Sequence, residues 1–224
     1  MPKLLFHKLD ASSRLIRLIF AEYGVELELE EASTWKRSKN LTDIDPLAIL
    51  PVLVEENGSN IIGALAIIHH VEENYKTKGN SLIPNNAKDR AEMWRLYELI
   101  MGRFNDAVTH YILEEKIGKR EQKSGTPDTN ILRAAKVNLS EQEKYFAYLF
   151  ATRAWLGGKH LSLADFALGA HFSTLDYLDH IDWAKAGEIK DWYARIKSRP
   201  AFRTLLTDKL VGMPASAHYA DLDF

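Results

Sequence analysis

A small α/β domain followed by a larger all-helical one is the fold class this sequence predicts, and three observations carry it. Residues 1–76 alternate short apolar or period-two runs with helix-period runs, the signature of strands and helices layered on a mixed sheet. From residue 87 onward the apolar residues recur only at three- and four-residue steps, the helical period. Between the two blocks, residues 77–86 read Thr-Lys-Gly-Asn-Ser-Leu-Ile-Pro-Asn-Asn, a linker rich in turn formers. The expected organisation is therefore 1–76, a linker at 77–86, a helical domain at 87–210 and a tail at 211–224.

Lys3 to Leu9 reads as a first strand, and Ser12 to Tyr23 as a helix with Leu15, Leu18 and Ile19 on one face. Asp10 or Ser12 suits its N-cap, and Gly24 its C-terminal end. Val25 to Glu31 alternates aliphatic residues with glutamates, as a half-exposed strand does. A short irregular helix is expected over Ser38 to Ile44. Pro51–Val54 and Asn60–Ile62 then form a hairpin around Asn57-Gly58, and Ala64 to Tyr75 closes the domain as a helix. In the second domain Tyr97, Met101, Phe104, Val108 and Tyr111 mark one long helix, and Leu132, Ala135, Leu139, Phe146 and Leu149 the next. Glu114 to Asp128, charged and containing Gly and Pro, reads as the connection between them.

Composition narrows the chemistry. The chain is 46% hydrophobic and 27% charged with a formal net charge of −2, so no bulk attraction to nucleic acid or an anionic membrane is expected. The absence of cysteine excludes disulfides, thiolate catalysis and cysteine-ligated zinc. The eight histidines show no metal-ligand spacing, and His69 and His70 face different sides of their helix, so no metal is expected. The first residues lack a signal-peptide core and no apolar run nears the ~20 residues of a membrane span, which implies a cytoplasmic protein.

Three motifs bear on function. Leu50-Pro51 leads into a strand, and X-Pro is the one bond whose cis form is cheap. Ser162-Leu163-Ala164-Asp165 is a carboxylate version of a capping box before the largely apolar stretch Phe166 to Leu178. Ser12 and Ser13 stand at the start of a helix with Arg14 and Arg17, where a hydroxyl and the helix N-terminus favour a thiolate; as residues before a helix they serve equally as caps.

Taken in order, these features resemble the glutathione transferase superfamily, whose fold pairs a thioredoxin-like domain with a helical one. The resemblance implies a cis proline at Pro51, with the backbone N–H and C=O of Leu50 turned toward a peptide-like ligand. It implies that Ser162 and Asp165 serve folding. Asp191-Trp192-Tyr193 through Ser198-Arg199-Pro200-Ala201-Phe202 is similar to the superfamily's penultimate helix and its terminator. Where that superfamily carries Glu or Gln followed by Ser, this chain has Gly63-Ala64, which offers no side-chain partner to glutathione's γ-glutamyl charges. The loss of two such contacts costs on the order of 2–5 kcal/mol of affinity. No cofactor is therefore expected, with glutathione left open as a weak ligand.

A closer likeness rests on Phe6-His7-x-Leu9-Asp10-x-Ser12, the Trp35 loop, Glu115-Lys116-x-x-Lys119-Arg120, Lys159 to Phe166, Lys197-Ser198-Arg199-Pro200 and the ending His218 to Phe224. These stretches are similar to the FtsZ-localised, glutathione-transferase-like family of alphaproteobacterial cell division. That resemblance implies a homodimer without catalysis that binds filaments of the tubulin homologue FtsZ and favours curved or bundled ones. It assigns Trp35, Tyr219, Leu222 and Phe224 to partner binding, although the residues alone also allow a packed Trp35 and a frayed tail. Two other readings stay open: a glutathione S-transferase using Ser12 or Ser13 at the thiolate, and a binding protein for a hydrophobic ligand.

Overall fold

The computed structural model describes residues 1–76 and 81–222. Four strands form one sheet in the order β2-β1-β3-β4: β1 (Lys3–Phe6), β2 (Glu28–Glu31), β3 (Val52–Val54) and β4 (Asn60–Ile62). β1 runs parallel to β2 and antiparallel to β3, which pairs antiparallel with β4. The alternation of side chains across the pleat divides the strand residues between two layers. Leu4, Phe6 and Leu53 face the main core with α1 (Ala11–Glu22) and α3 (Ala64–Asn74), while Leu5 and Val52 face a smaller cluster with Leu41 of α2 (Lys39–Thr42) and Ala48.

Two strands are shorter than the sequence implies. β1 stops at Phe6 because the chain turns, with the Asp10 N–H donating to the His7 carbonyl. β2 holds only Glu28 to Glu31, an edge strand; Val25 instead closes the end of α1 through its N–H to the Phe20 carbonyl, and Leu29 stays exposed. The 38–44 segment contains a single helical turn, Lys39–Thr42.

The helical half begins with α4, continuous over residues 87–122, whose stretches Leu99–Thr109 and Glu114–Gly118 are wound as π turns. This corrects the expected connection at 114–128. The helix runs on to Gln122 because Glu115, Ile117 and Gly118 are buried, and it ends where Lys123 adopts a left-handed conformation at φ 55°. α5 (Thr129–Phe150) follows, capped by Asp128, whose side chain accepts from the Asn130 N–H.

Every residue of α6 (Leu163–Tyr177) is buried, so this helix is the axis of the molecule. α7 (Glu188–Lys197), a 3-10 turn at Pro200–Phe202 and the one-turn α8 (Arg203–Leu206) complete the set. One hydrophobic cluster runs from β1 and α1 through α4, α6 and α7 to Tyr219, so the two halves share a core. Residues 77–80 of the expected linker lie outside the described residues.

Asp165 fixes the start of α6. Its carboxylate accepts from the N–H and hydroxyl of Ser162, the Leu156 N–H and the Trp192 indole, at 2.8–3.1 Å. Burial pushes its carboxyl up to about 6 against the pull of those donors. Ser162 and Asp165 thus tie three segments together. Among the described residues no helix is long and apolar enough to cross a membrane.

Candidate ligand and partner site

The strand register brings the predicted ligand residues to one end of the sheet. Leu5 of β1 lies opposite Val52, and Val52 opposite Ile62, so the exit of β1, the Leu50-Pro51 turn and the Gly63-Ala64 start of α3 share that end. β2, parallel to β1, delivers the Trp35 loop to the same end.

The Leu50-Pro51 bond is cis, as expected. The Pro51 carbonyl accepts from the Gly63 N–H at 3.0 Å, holding the start of α3 against it. Among the described residues neither the N–H nor the C=O of Leu50 has a hydrogen-bond partner, which leaves a peptide-like edge. Gly63 takes φ +87° as N-cap of α3, and space is open where its Cβ would stand. Neither Gly63 nor Ala64 offers a polar side chain, so the polar groups at this point are the backbone N–H groups of the first helical turn.

The two serines have different environments. Asp10 caps α1, its side chain accepting from the Ser13 N–H at 2.6 Å. Ser13 is fully buried and its hydroxyl oxygen accepts from the His7 N–H at 3.3 Å, so it is structural. Ser12 is half-buried, and among the described residues its hydroxyl makes no hydrogen bond. Of the pair, only Ser12 has a hydroxyl available to a ligand.

Arg14 and Arg17, which the sequence places beside those serines, are buried instead beneath the end of the chain. Arg14 donates to Ser173, Tyr219 and Asp208, and Arg17 reaches both carboxylate oxygens of Asp208 and the Thr204 carbonyl. A second buried pair joins Lys197 to Asp176 at 3.3 Å, with the Trp183 indole and the Tyr193 hydroxyl also donating to Asp176. Sequence reasoning missed both clusters. The signal was present in Asp176, a carboxylate in an otherwise apolar or small stretch, since a buried charge requires a partner.

Trp35 is half-buried and committed to this chain. Its indole N–H donates to Glu114 at 2.7 Å, its ring meets His7 edge-on at 5.2 Å, and it lies against Gly118, where an added Cβ would stand 2.7 Å from the ring. Glu121 completes the clamp, accepting from Ser33 and bonded to His7. Desolvation pushes the Glu121 carboxyl up, but the bonds from His7 and Ser33 outweigh it and hold the group below its ordinary value.

Tyr219 is placed in the core, 1% exposed, with its hydroxyl donating to the Leu205 carbonyl at 2.9 Å. This corrects its expected place on a partner-facing surface: a phenol held by Arg14 and packed on Tyr177 fixes the tail rather than presenting it. Leu222 is exposed, and Phe224 lies outside the described residues. Among the described residues no group of three or more His, Cys, Asp or Glu side chains could hold a metal.

Known proteins match this arrangement. The model of the glutathione S-transferase N-terminal domain matches residues 5–79. FtsZ-localized protein A of Caulobacter vibrioides is 36% identical over 219 residues, covering 96% of this chain and 95% of that one. The crystal structure of a glutathione S-transferase from Sinorhizobium meliloti superposes with a TM-score of 0.94 at 37% identity, covering all of both chains. FzlA from C. crescentus superposes with a TM-score of 0.93 at 35% identity, over 100% of this chain and 99% of that one.

Proposed function

From the premise that this chain belongs to the FtsZ-localized protein A family, built on the glutathione S-transferase fold, we propose that it is a non-catalytic adaptor. It binds filaments of FtsZ and favours curved or bundled ones in bacterial cell division. The observation that carries this reading is similarity across nearly the whole chain, at 36% identity, to a protein named for its localisation with FtsZ. The altered ligand site agrees with it: Ser13 is buried and Gly63-Ala64 supplies no side-chain bond to glutathione.

Bundling requires more than one filament contact per particle, which a homodimer supplies. Leu47, Ile49, Ile62 and Leu65 are exposed around the Leu50-Pro51 turn and form an apolar surface suited to self-association. The adaptor works in the cytoplasm, where FtsZ polymerises. Its contact surface includes the exposed rim of the Trp35 loop and the end of the tail at Leu222 and Phe224.

The test is co-sedimentation with polymerised FtsZ, paired with sedimentation velocity of the protein alone. The reading expects the protein in the filament pellet and a dimer in solution. Absence from the pellet at saturating FtsZ overturns it.

A specific observation supports one other reading. Among the described residues Ser12 has an unbonded hydroxyl and Leu50 an unpaired peptide edge, both at the end of the sheet where a glutathione transferase would hold its substrate. Calorimetric titration with glutathione, with turnover of a model electrophile, separates the two: micromolar affinity and turnover would establish the enzyme.

A further inference from the structure

A cleft of about 460 Å³ opens beside the Trp35 loop, between the exit of the sheet, the end of α4 and the segment Lys209 to Val211. It shares the exit of β1 and the Trp35 loop with the end of the sheet that carries the glutathione-type edge, but Leu50, Pro51, Gly63 and Ala64 do not line it. Five cationic side chains surround it, Lys8, Lys36, Arg120, Lys123 and Lys209, against two carboxylates, Glu31 and Glu121. The surplus of three positive charges stands out in a chain whose formal net charge is −2.

The carboxylates are already engaged. Glu31 pairs with Lys8, and Glu121 with His7 and Ser33. Among the described residues, three cations have no such partner: Arg120 donates to the carbonyls of Val211 and Gly212, and Lys123 and Lys209 make no side-chain hydrogen bond or ion pair. Both lysines are exposed at the cleft.

The walls are fixed before any ligand arrives. Gly212 combines φ +66° with a backbone so close to Arg120 that an added Cβ would meet the guanidinium at 2.8 Å, and this contact seats the 209–212 segment on α4. Lys123 is held in its left-handed conformation by its N–H to the Arg120 carbonyl. Ile117 and Leu210 add an apolar floor between the charges. A preformed cleft with dispersed lysines and an apolar floor suits an extended chain that alternates carboxylates with aliphatic stems.

We propose that this cleft binds an acidic peptide segment of a protein partner, with Arg120, Lys123 and Lys209 receiving its carboxylates. The inference goes beyond the filament reading and does not rest on it, because the ligand class follows from the cleft's own charges.

The probe is a fluorescein-labelled hexaglutamate peptide titrated with the full-length protein and followed by anisotropy. Binding is expected at about 50 mM salt and lost at about 300 mM, where added salt screens exposed charges more strongly. Lys123→Glu with Lys209→Glu weakens it by about tenfold or more. Lys144→Glu with Lys185→Glu, an equal charge change at exposed positions outside the cleft, leaves it unchanged. Absence of binding at low salt, or equal weakening by both pairs, overturns the proposal. Tighter binding of tripolyphosphate than of hexaglutamate also overturns it, in favour of a small polyanion. Pelleting of the Lys123→Glu/Lys209→Glu protein with FtsZ distinguishes the two proposals. Undiminished pelleting with lost hexaglutamate binding leaves both standing at separate surfaces.

Discussion

The Arg14 guanidinium and the Tyr219 hydroxyl meet 3.1 Å apart in the core, joining the first helix to the last turns of the chain. The Tyr219 proton goes on to the Leu205 carbonyl, and Asp208 supplies the charge that Arg14 and Arg17 need when desolvated. The final residues are therefore part of the folded body up to Tyr219.

Tyr219→Phe loses one hydrogen bond on each side of the hydroxyl and is expected to cost about 1–2 kcal/mol. Tyr219→Ala removes a ring packed against Tyr177 as well, at about 3–5 kcal/mol. Urea denaturation reads both. A truncation that includes Tyr219 thus confounds partner binding with folding, whereas removal of residues 222–224 tests the end of the chain that carries Leu222, and the shortened protein is expected to unfold within about 1 kcal/mol of the intact one.

Gly118→Ala places a methyl group 2.7 Å from the Trp35 indole. The helix cannot yield, so the Trp35 loop shifts and its bond to Glu114 breaks. The expected cost is about 1–3 kcal/mol, with a red shift in tryptophan fluorescence as the indole gains water. Unchanged emission and stability would show that the loop does not lean on α4.

His171 is fully buried, bonded to Thr109 at 2.8 Å, and desolvation lowers its pKa to about 3. The unfolded chain binds this proton below about 6.5 and the folded one does not, so stability falls as pH drops through that window. Between pH 7 and pH 5 the loss is about 2 kcal/mol. Asp165 and Glu143, raised to about 6 and about 7 chiefly by desolvation, act in the opposite sense and favour the fold at lower pH. The comparison with His171→Gln isolates the histidine, since the carboxyls are common to both proteins. The stability gap between the two proteins is expected to move by about 2 kcal/mol from pH 7 to pH 5. A gap independent of pH would rule out the neutral, buried histidine.

Ala64→Ser returns a hydroxyl to the start of α3, where glutathione's carboxylate would lie. A rise of about three- to tenfold in glutathione affinity is expected by calorimetry. Gly63→Gln adds less, because φ +87° strains any side-chain-bearing residue by roughly 1 kcal/mol or more.

Much of the architecture was legible because local chemistry encodes it. The apolar steps of α4 and α5, the turn at Asn57-Gly58 and the Ser162–Asp165 cap are short-range signals. The boundary at residue 114 was not legible, since Glu115 and Lys119 read as surface charges. Glu115 is buried, and its carboxylate accepts from Lys119 and from the Asp128 N–H. Its partners are set by chain return, which the residue pattern does not express. The same holds for Ser12 and Ser13, adjacent in the chain but separated by one helical step of about 100° into different environments.

By itself, then, the sequence determined the order of elements, the Leu50-Pro51 turn, the missing side chains at Gly63-Ala64 and the capped central helix. Each of these depends on backbone preference or on contacts a few residues apart. Only the tertiary structure decided which charges are buried, that Tyr219 belongs to the core, that Trp35 is clamped by Glu114, and that lysines from distant segments share one cleft. Those outcomes come from groups up to 205 positions apart finding each other, as Arg14 and Tyr219 do. Desolvation then makes each such pairing obligatory, and no local pattern records the choice of partner.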